Sequence, residues 1–194
     1  MNQETLNHAH HLQEHGYVCI ESNHTPLSIN EWQKLIDLTD YSALCYKAVV
    51  TGDSGDQHTL KGEAILREGE AEATHPKILS LAFSHKIQDF LKQITNLNSP
   101  AISRCQVHLM EQGSVIGWHV DSDYSKDYKY AVILCLSDDY TGGEFALKSK
   151  EVLKTIKPKK MSFLITDCYL PHAVNQVISG KRTTLVYFLK AAEL

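Results

Sequence analysis

Nowhere does the chain carry an apolar stretch approaching the roughly 20 residues that a membrane-crossing helix needs. Its start, Met1-Asn2-Gln3-Glu4, has neither the basic cluster nor the apolar segment of a secretory signal. The five cysteines, at 19, 45, 105, 135 and 168, include no CxxC, which argues against a zinc ribbon or a thioredoxin-like redox pair. Most sit in apolar runs such as Tyr17-Val18-Cys19-Ile20 and Ile133-Leu134-Cys135-Leu136, the pattern of buried reduced thiols. The expected setting is a reducing cytoplasm, where the sequon Asn23-His24-Thr25 carries no weight. With 10 Gly and 5 Pro, the chain is too poor in both for a collagen-like or low-complexity sequence. Positive charge is also short: Lys+Arg number 19 against 23 Asp+Glu, for a net charge of -4. A nucleic-acid binder usually neutralises phosphate with a basic face, so neither nucleic acid nor membrane is an expected partner. What is present is an ordinary globular composition, 43% hydrophobic and 22% charged in 194 residues, enough for one domain with a real core. Histidine is the chemically interesting surplus, with 11 copies of the commonest metal ligand.

The chain divides near residue 100. Residues 1–100 read as a helical support: a polar helix over 3–15, a strand over Tyr17 to Glu21, and a helix opened by a capping box. In that box Ser28 stands three residues before Glu31, and Trp32, Leu35, Ile36 and Leu38 follow at helical spacing. Residues 51–74 have no firm periodicity and are expected to form a long loop or hairpin, a candidate lid. Two further helical stretches begin at His75-Pro76 and run on through Ile87, Phe90, Leu91 and Ile94, ending at Asn98-Ser99-Pro100. From 101 to 190 short strand-like runs alternate with turn residues: 102–111, 116–120, 129–137, 144–148, 152–156, 161–166, 172–178 and 182–190. The expected fold is a single mostly-β domain, a jelly roll on an N-terminal helical layer.

One constellation carries chemistry. In Trp118-His119-Val120-Asp121, an extended strand would point His119 and Asp121 the same way, toward one ion. His172, in Leu170-Pro171-His172-Ala173-Val174, offers a second imidazole. Two His and one carboxylate make the facial triad of non-haem Fe(II) oxygenases, which leaves coordination positions open. A lone HxD recurs by chance in a His-rich chain, so its neighbours matter.

The neighbours resemble the 2-oxoglutarate/Fe(II)-dependent dioxygenases, and within them the prolyl-4-hydroxylase-like group, over about residues 104–190. A weaker echo lies in the Gly16–Ile20 strand. The pieces stand in family order: Gly113, His119-x-Asp121, the strand Ala131 to Leu136, then Ser137-Asp138-Asp139-Tyr140-Thr141-Gly142-Gly143-Glu144-Phe145. Next come Lys157-Pro158-Lys159-Lys160-Met161-Ser162-Phe163-Leu164, with Lys160 in a glycine place, and His172-Ala173-Val174. Last is Val177-x-x-Gly180-Lys181-Arg182. The resemblance implies Fe(II) held by His119, Asp121 and His172, with 2-oxoglutarate as cosubstrate and ascorbate as reductant. It implies Arg182 as anchor of the distal carboxylate of 2-oxoglutarate, a fitting residue because guanidinium binds carboxylate bidentately. Alternation puts Thr184 on the Arg182 face, as a further hydroxyl for the cosubstrate. The carboxylate of Asp121 argues for hydroxylation over halogenation, since the family's halogenases have Gly or Ala there.

The chain departs from the family at two tyrosines that commonly help bind 2-oxoglutarate; here Met110 and Cys135 stand in their places. Gln106 and His108, on the strand face of Met110, are the candidates to replace them. Trp118 reads as packing, and Tyr124, Tyr128 and Tyr130 read as loop packing or substrate contacts. His8, His10, His11 and His15 offer a second metal site as one reading, with His8 and His11, and His11 and His15, sharing a helix face; the preferred reading is a solvated polar helix. The implied activity is hydroxylation of an unactivated C–H in a small amino-acid-like or peptidyl substrate, prolyl included, with release of succinate and carbon dioxide. The substrate partner is then a small molecule, peptide or protein; the oligomeric state is not legible. The competing reading is a non-catalytic metal- or ligand-binding jelly-roll module, against which an inward Arg182 would speak. A cupin-like isomerase lacks its usual extra His and Glu here.

Overall fold

The computed structural model describes residues 2–40, 47–51, 58–65 and 75–191. Helix α1 (Gln3–His15) begins where the Asn2 side chain accepts from the Thr5 N–H, and ends at Gly16, whose left-handed backbone lets its N–H donate to Leu12 O. The capping box opens α2 (Ile29–Leu38): Ser28 Oγ accepts from Glu31 N–H, and the Glu31 carboxylate accepts from Ser28 N–H. Helices α3 (His75–Ala82) and α4 (His85–Thr95) complete the layer. No helix among the described residues is long and apolar enough to cross a membrane.

Twelve strands are present among the described residues: β1 (Tyr17–Ile20), β2 (Lys47–Thr51), β3 (His58–Ile65), β4 (Pro100–Glu111), β5 (Val115–His119), β6 (Tyr130–Cys135), β7 (Tyr140–Gly142), β8 (Phe145–Ser149), β9 (Val152–Ile156), β10 (Ser162–Asp167), β11 (His172–Val174) and β12 (Val177–Ala191). They pair antiparallel in the order β1-β10-β6-β12-β4-β3-β5-β11-β8-β9, with β2 on β3 and β7 on β12. The sheet curls so that Ile133 and Val186 from one half share a core with Ile116, Phe145, Leu147 and Val174 from the other. This is the expected jelly roll.

Three boundaries differ from the sequence reading. Residues 58–65, expected within a long loop or hairpin, form β3, which pairs antiparallel with β2 as a hairpin would and, beyond that expectation, joins β4 to β5 and satisfies the backbone groups of both. The rest of that stretch, 52–57 and 66–74, lies outside the described residues. The expected strands 172–178 and 182–190 are divided differently: β11 stops at Val174, and β12 runs from Val177 to Ala191. Glycine at 180 makes that continuity possible. Its φ is +77°, and a Cβ there would sit 2.0 Å from Asp139 O. Strand β7, too short to show a period, was not expected at all.

Alternate residues of the central strands serve opposite faces. One face packs under the helices: Val107, Val132, Leu134, Phe163, Ile165, Leu185 and Tyr187 meet Leu12, Trp32, Leu35, Ile87, Leu91 and Ile94. The Trp32 ring stands edge-on to Phe163 at 5.5 Å, and Tyr187 donates its hydroxyl to Ala82 O. Each large apolar side chain so buried contributes about 1.5–3 kcal/mol. The other face lines the interior of the roll.

Candidate metal and cosubstrate site

The interior face holds a cavity of about 250 Å³. Its floor is written by the register of β4 against β12: Met110 opposite Arg182, His108 opposite Thr184, Gln106 opposite Val186, Arg104 opposite Phe188. Arg182 and Thr184 are therefore neighbours on one face, as the alternation of the sequence requires.

Across the cavity, β5 and β11 pair with His119 directly opposite His172, ring centroids 4.3 Å apart. The Nδ1 atoms lie 2.8 Å from Gly117 O and Leu170 O respectively. A carbonyl only accepts, so each Nδ1 carries a proton, which in a neutral ring leaves Nε2 as the ligand atom. Those Nε2 atoms face the Asp121 carboxylate, at 3.4 Å from Oδ1 for His119 and 3.5 Å from Oδ2 for His172. The three donor atoms lie within 4.8 Å of one another. Asp121 is not on the strand as expected. It begins a 3-10 turn, Asp121–Asp123, because β5 ends at His119. Val120 is still extended, so the carboxylate returns to the side of His119, and Ser122 N–H anchors the turn on Cys168 O at 3.0 Å. Phe145 stacks on the His172 ring and walls the site. Two imidazoles and a carboxylate, gathered at one side of an open cavity, are a donor set that fits Fe(II).

Arg182 is 2% exposed. Its Nη1 lies 3.4 Å from Met110 Sδ and 3.5 Å from Thr184 Oγ1, and its Nε has no hydrogen-bond partner among the described residues. A buried guanidinium with such weak partners calls for an anion. Gly143, at φ +65°, leaves the backbone bare beside it; a Cβ there would come 3.2 Å from Arg182 Cδ and 3.1 Å from the Tyr140 ring. Burial pushes the Tyr140 phenol up, and Arg182 beside it pulls the other way. Thus a phenol does reach the Arg182 end, from β7, although Met110 and Cys135 have none. The signal for it lay in the Tyr140–Phe145 turn itself. Burial holds the Cys135 thiol up at about 11, so it is uncharged.

Gln106 Nε2 lies 2.5 Å from His108 Nε2. Burial, reinforced by the charges of Arg182 and Arg104, pulls His108 down to about 3, so it is neutral at physiological pH. An amide N–H donates, which makes His108 Nε2 the acceptor and leaves Gln106 Oε1 with no partner among the described residues.

Other candidates separate cleanly. Tyr124 and Tyr128 line the cavity, whereas Tyr130 packs on the helix-facing core. Trp118 is 40% exposed beneath the Lys148 ammonium and stays out of the cavity. The His11 and His15 rings touch at 4.5 Å, yet among the described residues the triad is the only metal-capable cluster. Sequence reasoning missed Arg104 as a cavity residue; counting the alternation from Met110 two steps past His108 would have reached it.

Residues 105–190 match the family model described as the 2OG-Fe(II) oxygenase superfamily. No curated protein matches the chain. Among solved structures, an oxidoreductase of the 2OG-Fe(II) oxygenase family from Burkholderia pseudomallei is 25% identical, with 97% of this chain and 92% of that chain covered and a TM-score of 0.82. A Pseudomonas putida prolyl-4-hydroxylase is 14% identical, with 97% and 100% covered and a TM-score of 0.69. The viral collagen prolyl hydroxylase of Paramecium Bursaria Chlorella virus-1 is 19% identical, with 92% and 97% covered and a TM-score of 0.62.

Proposed function

We propose that the chain, whose residues 105–190 match the 2OG-Fe(II) oxygenase superfamily, is such an oxygenase and hydroxylates an unactivated C–H of a small amino-acid-like or peptidyl substrate. The balanced reaction takes the substrate, dioxygen and 2-oxoglutarate to the hydroxylated substrate, succinate and carbon dioxide. The observation that carries this reading is the meeting, in one cavity, of the His119-Asp121-His172 donors and the buried Arg182. Fe(II) with its cosubstrate supplies the oxidising power for the C–H bond when bound.

The chain's own residues do the rest. His119 and His172 present Nε2 because their Nδ1 protons are held by Gly117 O and Leu170 O. Asp121 supplies the carboxylate that balances part of the metal's charge. Arg182 takes the distal carboxylate of 2-oxoglutarate, with the Thr184 hydroxyl beside it. His108, kept neutral and oriented by the Gln106 amide, lines the cosubstrate pocket without repelling the cation. Phe145, Ile133 and Val174 exclude water around the reacting atoms. Ascorbate serves as reductant to keep the metal ferrous. The four described cysteines carry free thiols, which accords with a reducing, cytoplasmic setting.

A non-catalytic metal module would have no use for a buried cation like Arg182. The test is succinate formation by purified protein given Fe(II), ascorbate and 2-oxoglutarate in air. The wild type is expected to bind 2-oxoglutarate and release succinate. Asp121→Ala should lose metal and turnover by more than the roughly 10–100-fold that loss of a ligand's supporting partner costs. Failure of the wild type to bind or turn over 2-oxoglutarate sinks the proposal.

A further inference from the structure

Gln106 stands on the interior face of β4, 6% exposed, and lines the same cavity as the donor triad. Its Nε2 is engaged with His108 Nε2, and its Oε1 has no hydrogen-bond partner among the described residues. The setting is apolar: Val186 lies opposite Gln106 on β12, and Ile133 opposite Val186 on β6. The next pair along brings Phe188 and Ala131, with the Tyr128 ring stacked on Phe188 at 4.6 Å. A buried acceptor left bare among such neighbours is costly, and folded proteins keep few of them. A ligand that brings a donor removes the cost.

The cosubstrate is not that ligand. 2-Oxoglutarate is a dianion with no N–H or O–H to give. Its anchor also lies elsewhere: Arg182 is opposite Met110, four residues and about 13 Å along β4 from Gln106. Gln106 therefore belongs to the substrate's end of the cavity. At about 250 Å³ that cavity is below the usual range for a ligand pocket. With 2-oxoglutarate in place, only a small part of a substrate fits. The substrate atom that meets Gln106 and the carbon presented to the metal are then near neighbours.

We propose that Gln106 Oε1 accepts a hydrogen bond from an N–H of the substrate, on the backbone nitrogen of the very residue that is hydroxylated. This rests on the oxygenase reading above and narrows it. A free amino acid and most residues within a peptide carry such an N–H. An internal prolyl residue does not, because its nitrogen bears no hydrogen. Gln106 is the specificity residue for that difference.

The experiment is calorimetric titration of protein loaded with Mn(II) and 2-oxoglutarate under nitrogen. The probes are the common L-amino acids in two series, free and as N-acetyl methylamides. Each is paired with a counterpart in which methyl replaces every hydrogen on the α-nitrogen. At least one N–H probe is expected to bind, and its methylated counterpart to bind at least about tenfold more weakly. N-Acetylproline methylamide, which lacks that hydrogen already, should bind no better than the methylated probes. Gln106→Leu, folded by circular dichroism, should level each pair. Gln106→Glu keeps an acceptor in place and should keep the preference. Binding in the free series alone identifies a free amino acid as the source; binding in the blocked series identifies a residue within a peptide. Three results overturn the proposal: no probe binds, the methylated or prolyl probes bind as tightly as the best N–H probe, or folded Gln106→Leu discriminates as the wild type does. A wild type that takes up no 2-oxoglutarate would instead bring down the oxygenase reading beneath it.

Discussion

The two faces of the strands β4, β6, β10 and β12 share a backbone and little else. Under the helices, Val107, Leu134, Phe163, Ile165, Leu185 and Tyr187 form a close-packed apolar layer. One residue along, on the opposite face, stand His108, Cys135, Ser162, Thr184 and Gln106, together with the buried cation Arg182. The helix-facing layer supplies stability, and the interior face spends some of it on groups whose partners arrive with the ligands. Register ties the two together, since a slip of one residue would send the polar set under the helices and the apolar set into the cavity. Mutations on one face should therefore be read in stability, and on the other in affinity.

The strongest test of that division is Phe163→Ala, which opens a void beneath Trp32. It should cost about 3–5 kcal/mol in urea unfolding, while the folded fraction keeps its affinity for 2-oxoglutarate. A fall in that affinity would break the contrast. Arg182→Met should do the reverse. Affinity for 2-oxoglutarate is expected to drop by about 2–5 kcal/mol in calorimetry. Stability without 2-oxoglutarate should hold or rise, because a buried charge has been exchanged for an apolar chain of similar reach.

Acid sharpens the contrast further. His108 binds its proton far more weakly folded than unfolded, near 3 against the ordinary 6.5. Between those values the unfolded chain holds more protons, so the contribution is complete above pH 6.5 and is lost as pH falls toward about 3. By pH 5 the loss is about 2 kcal/mol, and His108→Gln should flatten that part of the pH profile. On the helical side, the Lys86 ammonium and the Ser28 cap hold Glu31 down at about 2. Its contribution is complete above pH 4.5 and is lost as pH falls toward about 2. The group is partly exposed, so the effect stays below about 1 kcal/mol, measured as the difference from Glu31→Gln.

Features that need only near neighbours were legible in the sequence. The capping box requires only Ser28 and Glu31, and α2 begins there. The inward face of β12 follows from alternation through Arg182, Thr184, Val186 and Phe188. Residues 119, 121 and 172 do converge, as the motif order implied. What stayed hidden depends on which strand lies beside which. Periodicity tells a strand its faces but not its partner, so β3's place between β4 and β5 was out of reach. The same holds for Tyr140, which reaches Arg182 only because β7 pairs with the first half of β12. Arg104 was hidden for another reason: nothing local says how far along β4 the cavity extends.

The hydrogen bonds that the two ligand histidines make to their own strands have a practical consequence. Each ring is tethered to the carbonyl two residues before it, and the strands that carry the rings are zipped together by backbone pairing with His119 opposite His172. The metal is thus a passenger and not a staple. Unlike a zinc finger, whose chain collapses only around its ion, this scaffold should survive chelation intact. Activity should return on simple addition of iron, without a refolding step, so metal exchange can serve as a reversible switch for the enzyme.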